Sequence, residues 1–155
     1  MALGTDVAPH NLIEEMRTAI LAARFVKRDI RAADPASLLH AATVAGSQAL
    51  GRDDLGRIAI GAKADLALVD LNHPLMQPVR DPLRSLVYHA ADRAVRTVLV
   101  DGAVAYDNGK AQGLDVASAA ATLAEAQARM IGDCAKHDYR GRRGDEIAPL
   151  SLPVA

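Results

Sequence analysis

The stretch that most restricts how this chain can fold is LGRIAIGAKADLALVDL, residues 55–71. Gly56 and Gly61 punctuate it, and around them lie a short apolar run centred on Ile58 and a longer one from Leu66 to Leu71. Glycine enters left-handed turns without steric cost, so both positions mark places where the backbone changes direction. The runs are too short for helices, and two short strands are predicted. In the second run Ala67, Val69 and Leu71 alternate with Leu66 and Leu68, which makes both faces apolar. Such a strand needs cover on both sides and is predicted to lie inside a sheet.

Helical signals flank this region. Asn11 suits an N-cap, with Glu14 three residues on as a capping-box acid. Leu12, Met16, Ile20, Ala23 and Val26 then recur at helical spacing, predicting a helix to about Lys27. Asp34-Pro35 repeats the cap and first-turn pair and predicts one helix over DPASLLHAATVAGSQALG, with Gly51 as its stop. Asp81-Pro82 opens a shorter helix, DPLRSLVYHAA. Asp101-Gly102 between two Val-containing runs is a two-residue hairpin signal and adds two more strands. From Asp115 an Ala-rich helix is predicted to about Lys136, with Val116, Ala120, Leu123, Ala126, Met130 and Cys134 on one stripe. The tail from Tyr139 carries RGRRGDE and two prolines without periodicity and is predicted to be loose, or to lie extended on a neighbour.

Composition excludes several function classes. At 155 residues, half of them hydrophobic, the chain has the length for one globular domain with a core. That core must be aliphatic, because only 3% of residues are aromatic and there is no Trp. A net charge of −1 offers no basic excess for a phosphate backbone, and the few aromatics offer no stacking platform, so nucleic acid is not an expected partner. The single Cys134 cannot form an internal disulfide, and no basic-then-apolar leader or apolar run of about 18 residues occurs, so a reducing cytoplasm is expected and a membrane is not.

Chemical candidates are few. The five histidines, His10, His40, His73, His89 and His137, include no pair at the spacing of a ready-made metal site. There is no Gly-rich phosphate loop followed by Lys-Ser/Thr and no Gly-x-Ser-x-Gly elbow. Cys134 beside Met130 reads as a small core residue, and Arg140, Arg142 and Arg143 as a solvated cluster. What remains is Asp6, at the end of a strand-like stub, Ala2 to Thr5, with His10 close by. By itself an aspartate in that place is a turn former or a cap as readily as a reactive group.

Several segments in order resemble the C-terminal part of the amidohydrolase superfamily, closest to its cytosine-deaminase-like and triazine-hydrolase (chlorohydrolase) branch. They are GTD at 4–6 with the NLIEEMR helix, AATVAGSQALG, GRIAIGAKADLALVD at 56–70, DPLRSLVY at 81–88 and VRTVLVDG at 95–102. The most specific is Gly-x-Ile-x-x-Gly-x-x-Ala-Asp-Leu-x-Leu-x-Asp. In it Gly56 and Gly61 permit turns, Ala64 permits close packing, and Asp65 can bond turn amides, all structural roles.

The resemblance implies an α+β fragment of a TIM-barrel metal hydrolase. Residues 1–50 would be the end of barrel strand eight and the terminal helices, and 51–112 the C-terminal share of a small β-sandwich-like composite domain with one inserted helix. Residues 113–137 would be a C-terminal helix and 138–155 a flexible tail. It also implies that Asp6 is catalytic, binding the metal or taking a proton from the attacking water, and that His10 and Asn11 face substrate. Zinc or iron is the implied cofactor of a complete enzyme, which would hydrolytically deaminate or dechlorinate a heterocyclic or amidine-like small molecule. The family's His-x-His pair has no counterpart, and only five residues precede Asp6 where a whole barrel takes about 250, so this chain alone is expected to bind no metal. Three expectations follow: an incomplete hydrolase inactive by itself, a split-enzyme subunit needing a partner chain with the His-x-His barrel half, or a non-catalytic structural or binding module. Its amphipathic helices and two-faced strand also predict a homo-oligomer.

Overall fold

A computed structural model describes residues 1–6 and 10–152. The chain divides into two compact units, Met1–Gln112 and Gly113–Ala155.

In the first unit α1 spans Leu12–Lys27. Asn11 Oδ1 accepts the Glu14 N–H as expected, but the Glu14 carboxylate turns to Arg17 instead of closing a capping box. The single helix predicted after Asp34 is two, α2 at Pro35–Ala42 and α3 at Val44–Ala49. Thr43 causes the break. Its hydroxyl donates to the Leu39 carbonyl at 2.7 Å, closing α2, while its own carbonyl accepts the Ser47 N–H at 3.1 Å and opens α3. Gly56 lies against that same carbonyl: a Cβ built on Gly56 would sit 2.6 Å from Thr43 O, and its φ is +72°. No side chain fits there.

The strand predicted around Ile58 is not formed, and Ile58 is 90% exposed. Two left-handed glycines frame the segment, and no strand among the described residues lies beside it to satisfy its amides. The second run forms β1, Leu66–Val69, but as an edge strand rather than an interior one. The sheet runs β1-β2-β3-β4, all antiparallel, with β2 at Val95–Val100, β3 at Ala103–Asp107 and β4 at Lys110–Ala111. Both links after β2 are two-residue turns in left-handed conformation. Asp101-Gly102 has φ of 49° and 80°, and Asn108-Gly109 has 46° and 87°; the second makes a strand the sequence reading had not included.

Asp65 has the role read from its position. Its carboxylate accepts the Asp101 N–H at 2.7 Å, Ala64 O accepts the Gly102 N–H at 3.0 Å, and Lys63 pairs with the Asp101 carboxylate at 2.7 Å. The chain is thereby latched to the β2–β3 turn just before it enters β1.

Between helices and sheet runs α4, Pro82–Ser85, capped by Asp81. It continues as a π turn over Leu86–Ala90 and a 3-10 turn over Ala91–Ala94, in place of one regular helix. Val87 joins Met16, Ile20 and Leu38 in one buried cluster, while Ala90 and Ala94 join Met76 in a second that Val69 of β1 packs against. Each fully buried aliphatic chain contributes about 1.5–3 kcal/mol.

The second unit is α5, Val116–His137, capped by Asp115, followed by α6, Gly144–Ile147. No residue of α5 is buried: Leu123 and Met130 of its predicted core stripe are exposed, and Cys134 is half-buried. Where the sequence predicts a loose tail, Asp138 organises a turn. Its carboxylate accepts from the Arg142 side chain, at 2.8 Å to Oδ1, and from the Arg140 and Arg142 amides at 2.9 and 3.0 Å. No helix among the described residues is long and apolar enough to cross a membrane.

Two expected outcomes follow. Gly56→Ala destabilises by about 2–4 kcal/mol in chemical denaturation, because clash adds to left-handed strain. Gly61→Ala, also left-handed but with open space around it, costs only about 1–2 kcal/mol. The second concerns pH. The Arg142 side chain, then the Arg142 and Arg140 amides, hold the Asp138 carboxyl well below the usual carboxylate range. Its contribution to the 138–147 turn is therefore fully present above the ordinary aspartate pKa and is lost as pH falls through the depressed one. Protection of the Arg142 amide, measured against its intrinsic exchange rate at each pH, is constant above the ordinary aspartate range and declines progressively as pH falls towards the depressed pKa, and Asp138→Asn shows the lower protection already at neutral pH.

Candidate functional site

The segment that leads to Asp6 is held, at Leu3, by contacts distant in sequence. It is not a strand among the described residues; it is fixed where the Leu3 N–H donates to Ala41 O of α2 at 2.9 Å and the Leu3 side chain packs on the Met16, Ile20, Leu38 and Val87 cluster. Three residues further, Asp6 has φ of 46° and an exposed side chain. Aspartate tolerates this left-handed conformation better than most residues.

Val7, Ala8 and Pro9 lie outside the described residues, and the chain re-emerges at His10. Thr5 Oγ1 lies 3.3 Å from His10 Nδ1, so the two ends of this connection are brought together. Thr5 was not among the residues singled out from the sequence, although its place directly before Asp6 was the available signal. Asn11 is occupied with the helix, its Oδ1 accepting the Glu14 N–H at 3.2 Å. His10 and Asn11 thus stand directly before a helix of 16 residues, and Thr5, next to Asp6, reaches His10.

An exposed carboxylate in this setting can accept a proton or supply one oxygen to a cation. It cannot make a metal centre alone: among the described residues no three His, Cys, Asp or Glu side chains converge on one point. The other histidines are spread through the fold. His40 and His89 are exposed, His73 Nδ1 accepts the Leu75 N–H at 3.2 Å in a 3-10 turn, and His137 ends α5.

Residues 1–105 match the amidohydrolase family. The chain is 38% identical over 120 residues to a 5-methylthioadenosine/S-adenosylhomocysteine deaminase of Acetivibrio thermocellus, covering 74% of this chain and 28% of that protein. Among solved structures it is similar to an adenosine deaminase from Xanthomonas campestris with bound zinc, with a TM-score of 0.77 and 34% identity over 83% of this chain and 30% of that one. It is also similar to the atrazine chlorohydrolase TrzN of Arthrobacter aurescens, complexed with zinc, with a TM-score of 0.66 and 27% identity over 73% of this chain and 25% of that one. The chain thus spans under a third of the length of these relatives.

Asn11→Ala is expected to lose about 1 kcal/mol of stability and to speed hydrogen exchange at the Glu14 amide, whereas Asn11→Asp, which still caps, retains both.

Proposed function

The chain belongs to the amidohydrolase family, and from that membership we propose that it is the C-terminal portion of a metal-dependent hydrolase that deaminates an amino-substituted heterocycle of the adenine nucleoside kind. The observation that carries this reading is the placement of Asp6. It follows Gly4-Thr5 and the Leu3 anchor, has a left-handed φ of 46°, and lies within a segment similar to an adenosine deaminase with bound zinc.

In this reading Asp6 is the end of barrel strand eight and acts as the proton acceptor. Its carboxylate accepts a hydrogen bond from a water molecule, orients it, and takes a proton as the water oxygen bonds to the ring carbon bearing the amine. The proton then passes to the departing nitrogen, the carbon–nitrogen bond breaks, and ammonia leaves. His10, held near Thr5, and its neighbour Asn11 would contact the substrate. Zinc or iron supplies, when bound in such an enzyme, a lowered pKa of its water; Asp6 is this chain's contribution at that metal, and the histidine ligands belong to polypeptide outside these residues.

The chain alone is then inactive. Support comes from apolar side chains that a self-sufficient unit would cover: Phe25 is 85% exposed, and Ile58 and Ile60 project fully into solvent. A barrel half, on the same or a separate polypeptide, or a second copy of the chain would cover them.

The test has two parts. After zinc loading and desalting, the isolated chain should carry far less than one metal per chain; stoichiometric zinc that disappears in Asp6→Ala refutes the incomplete site. Joined to the preceding barrel segment of an adenosine deaminase relative, the chain should restore deamination of adenosine, and Asp6→Asn should lower kcat by about 100-fold or more with little change in melting temperature. An Asp6→Asn chimera as active as the parent would remove Asp6 from the chemistry.

A further inference from the structure

A second site stands apart from Asp6. Along the middle of α1 and the segment 78–89 runs a groove of about 890 Å³, and Arg17, Arg24, Arg80 and Arg84 all line it. None of Asp6, His10 or Asn11 does. Asp81 is the one carboxylate in its lining, and that carboxylate already accepts the Arg84 N–H at 3.1 Å as the cap of α4. Arg17 is already paired with the Glu14 carboxylate, which leaves Arg24, Arg80 and Arg84 as the cations of the groove, a local concentration of positive charge on a chain whose net charge is −1.

The groove is also built. Arg24 Nη2 donates to the Tyr88 hydroxyl at 2.7 Å, its guanidinium carbon lies 5.4 Å from the Tyr88 ring centroid, and Tyr88 packs on the buried Met16 and Val87 cluster. The guanidinium is therefore held on one side by a fixed ring. Arg24 Nε, meanwhile, is buried without a hydrogen-bond partner among the described residues. A guanidinium carries more N–H donors than the one given to Tyr88, and an oxyanion is the acceptor that its fork matches best. The volume exceeds what a bare tetrahedral anion fills, and Leu21, Pro78 and the Tyr88 ring give the lining an apolar component.

We propose that this groove between α1 and residues 78–89 binds a phosphate group, free or carried on a small organic molecule, through Arg24, Arg80 and Arg84. The site is independent of the deaminase reading, since it shares no residue with Asp6 and its neighbours.

The test is isothermal titration of the full chain with inorganic phosphate, phenyl phosphate and, as a neutral control, phenol, at low salt and at about 0.2 M sodium chloride. Both phosphates are expected to bind saturably at low salt and more weakly at the higher, and phenol not to bind. Arg80 and Arg84 are exposed, so Arg80→Gln/Arg84→Gln should fold with an unchanged circular dichroism spectrum and bind about tenfold or more weakly. Tighter binding of phenyl phosphate than of inorganic phosphate assigns the groove to a phosphate ester, and equal binding assigns it to the free anion. Absence of saturable binding of either phosphate at low salt, or equal affinity in the double variant, overturns the proposal.

Discussion

The first unit depends on one short segment serving two cores at once. Val87 and Ala90 are three residues apart in the same π turn and both are fully buried, one against the helices α1 and α2, the other beside the sheet. Helix and sheet surfaces have different spacings, and a regular helix that satisfied one would present the wrong residues to the other. Passing from α4 through a π turn to a 3-10 turn changes the winding residue by residue, and the apolar side chains follow both surfaces. With Val87 in place, Leu3 has a surface to pack on, and through Leu3 the position of Asp6 is set.

The family's most specific sequence pattern is a set of latches between elements, placed where the chain crosses from the helices to the sheet. Gly56 is fixed by its close approach to the Thr43 carbonyl, at the point where α2 ends and α3 begins. Asp65 is fixed by the amide of Asp101 in the β2–β3 turn. Each latch ties the linking segment to a backbone group far away in sequence, and a substitution at either place breaks geometry that no nearby residue can repair.

The site and the groove use α1 in different ways. Asp6 lies in the segment that leads into its Asn11 cap, with Thr5 reaching His10. Arg17 and Arg24 lie seven residues apart on one face further along, where they meet Arg80 and Arg84 from a distant part of the chain. The seven-residue interval is visible in the sequence, as is the four-residue interval between Arg80 and Arg84. That the two pairs share one groove follows only from the packing of Tyr88 against α1.

Local chemistry was legible from the residues. Asn11, Asp34 and Asp81 each cap a helix start as expected, and Asp101-Gly102 makes the hairpin, because caps and two-residue turns are decided within a few residues. The order of segments and the amidohydrolase family were legible for the same reason, being carried by local patterns. Ile58 failed to become a strand, β1 took an edge, and α5 exposed the stripe that its periodicity assigned to a core. Apolar spacing states which side chains need cover, and it does not state whether the chain supplies that cover. Asp6 shows the same division. Its sequence context named it, but where it stands was decided by Leu3 reaching Ala41 and by a core assembled from residues as distant as Val87, contacts that exist only once the chain has folded.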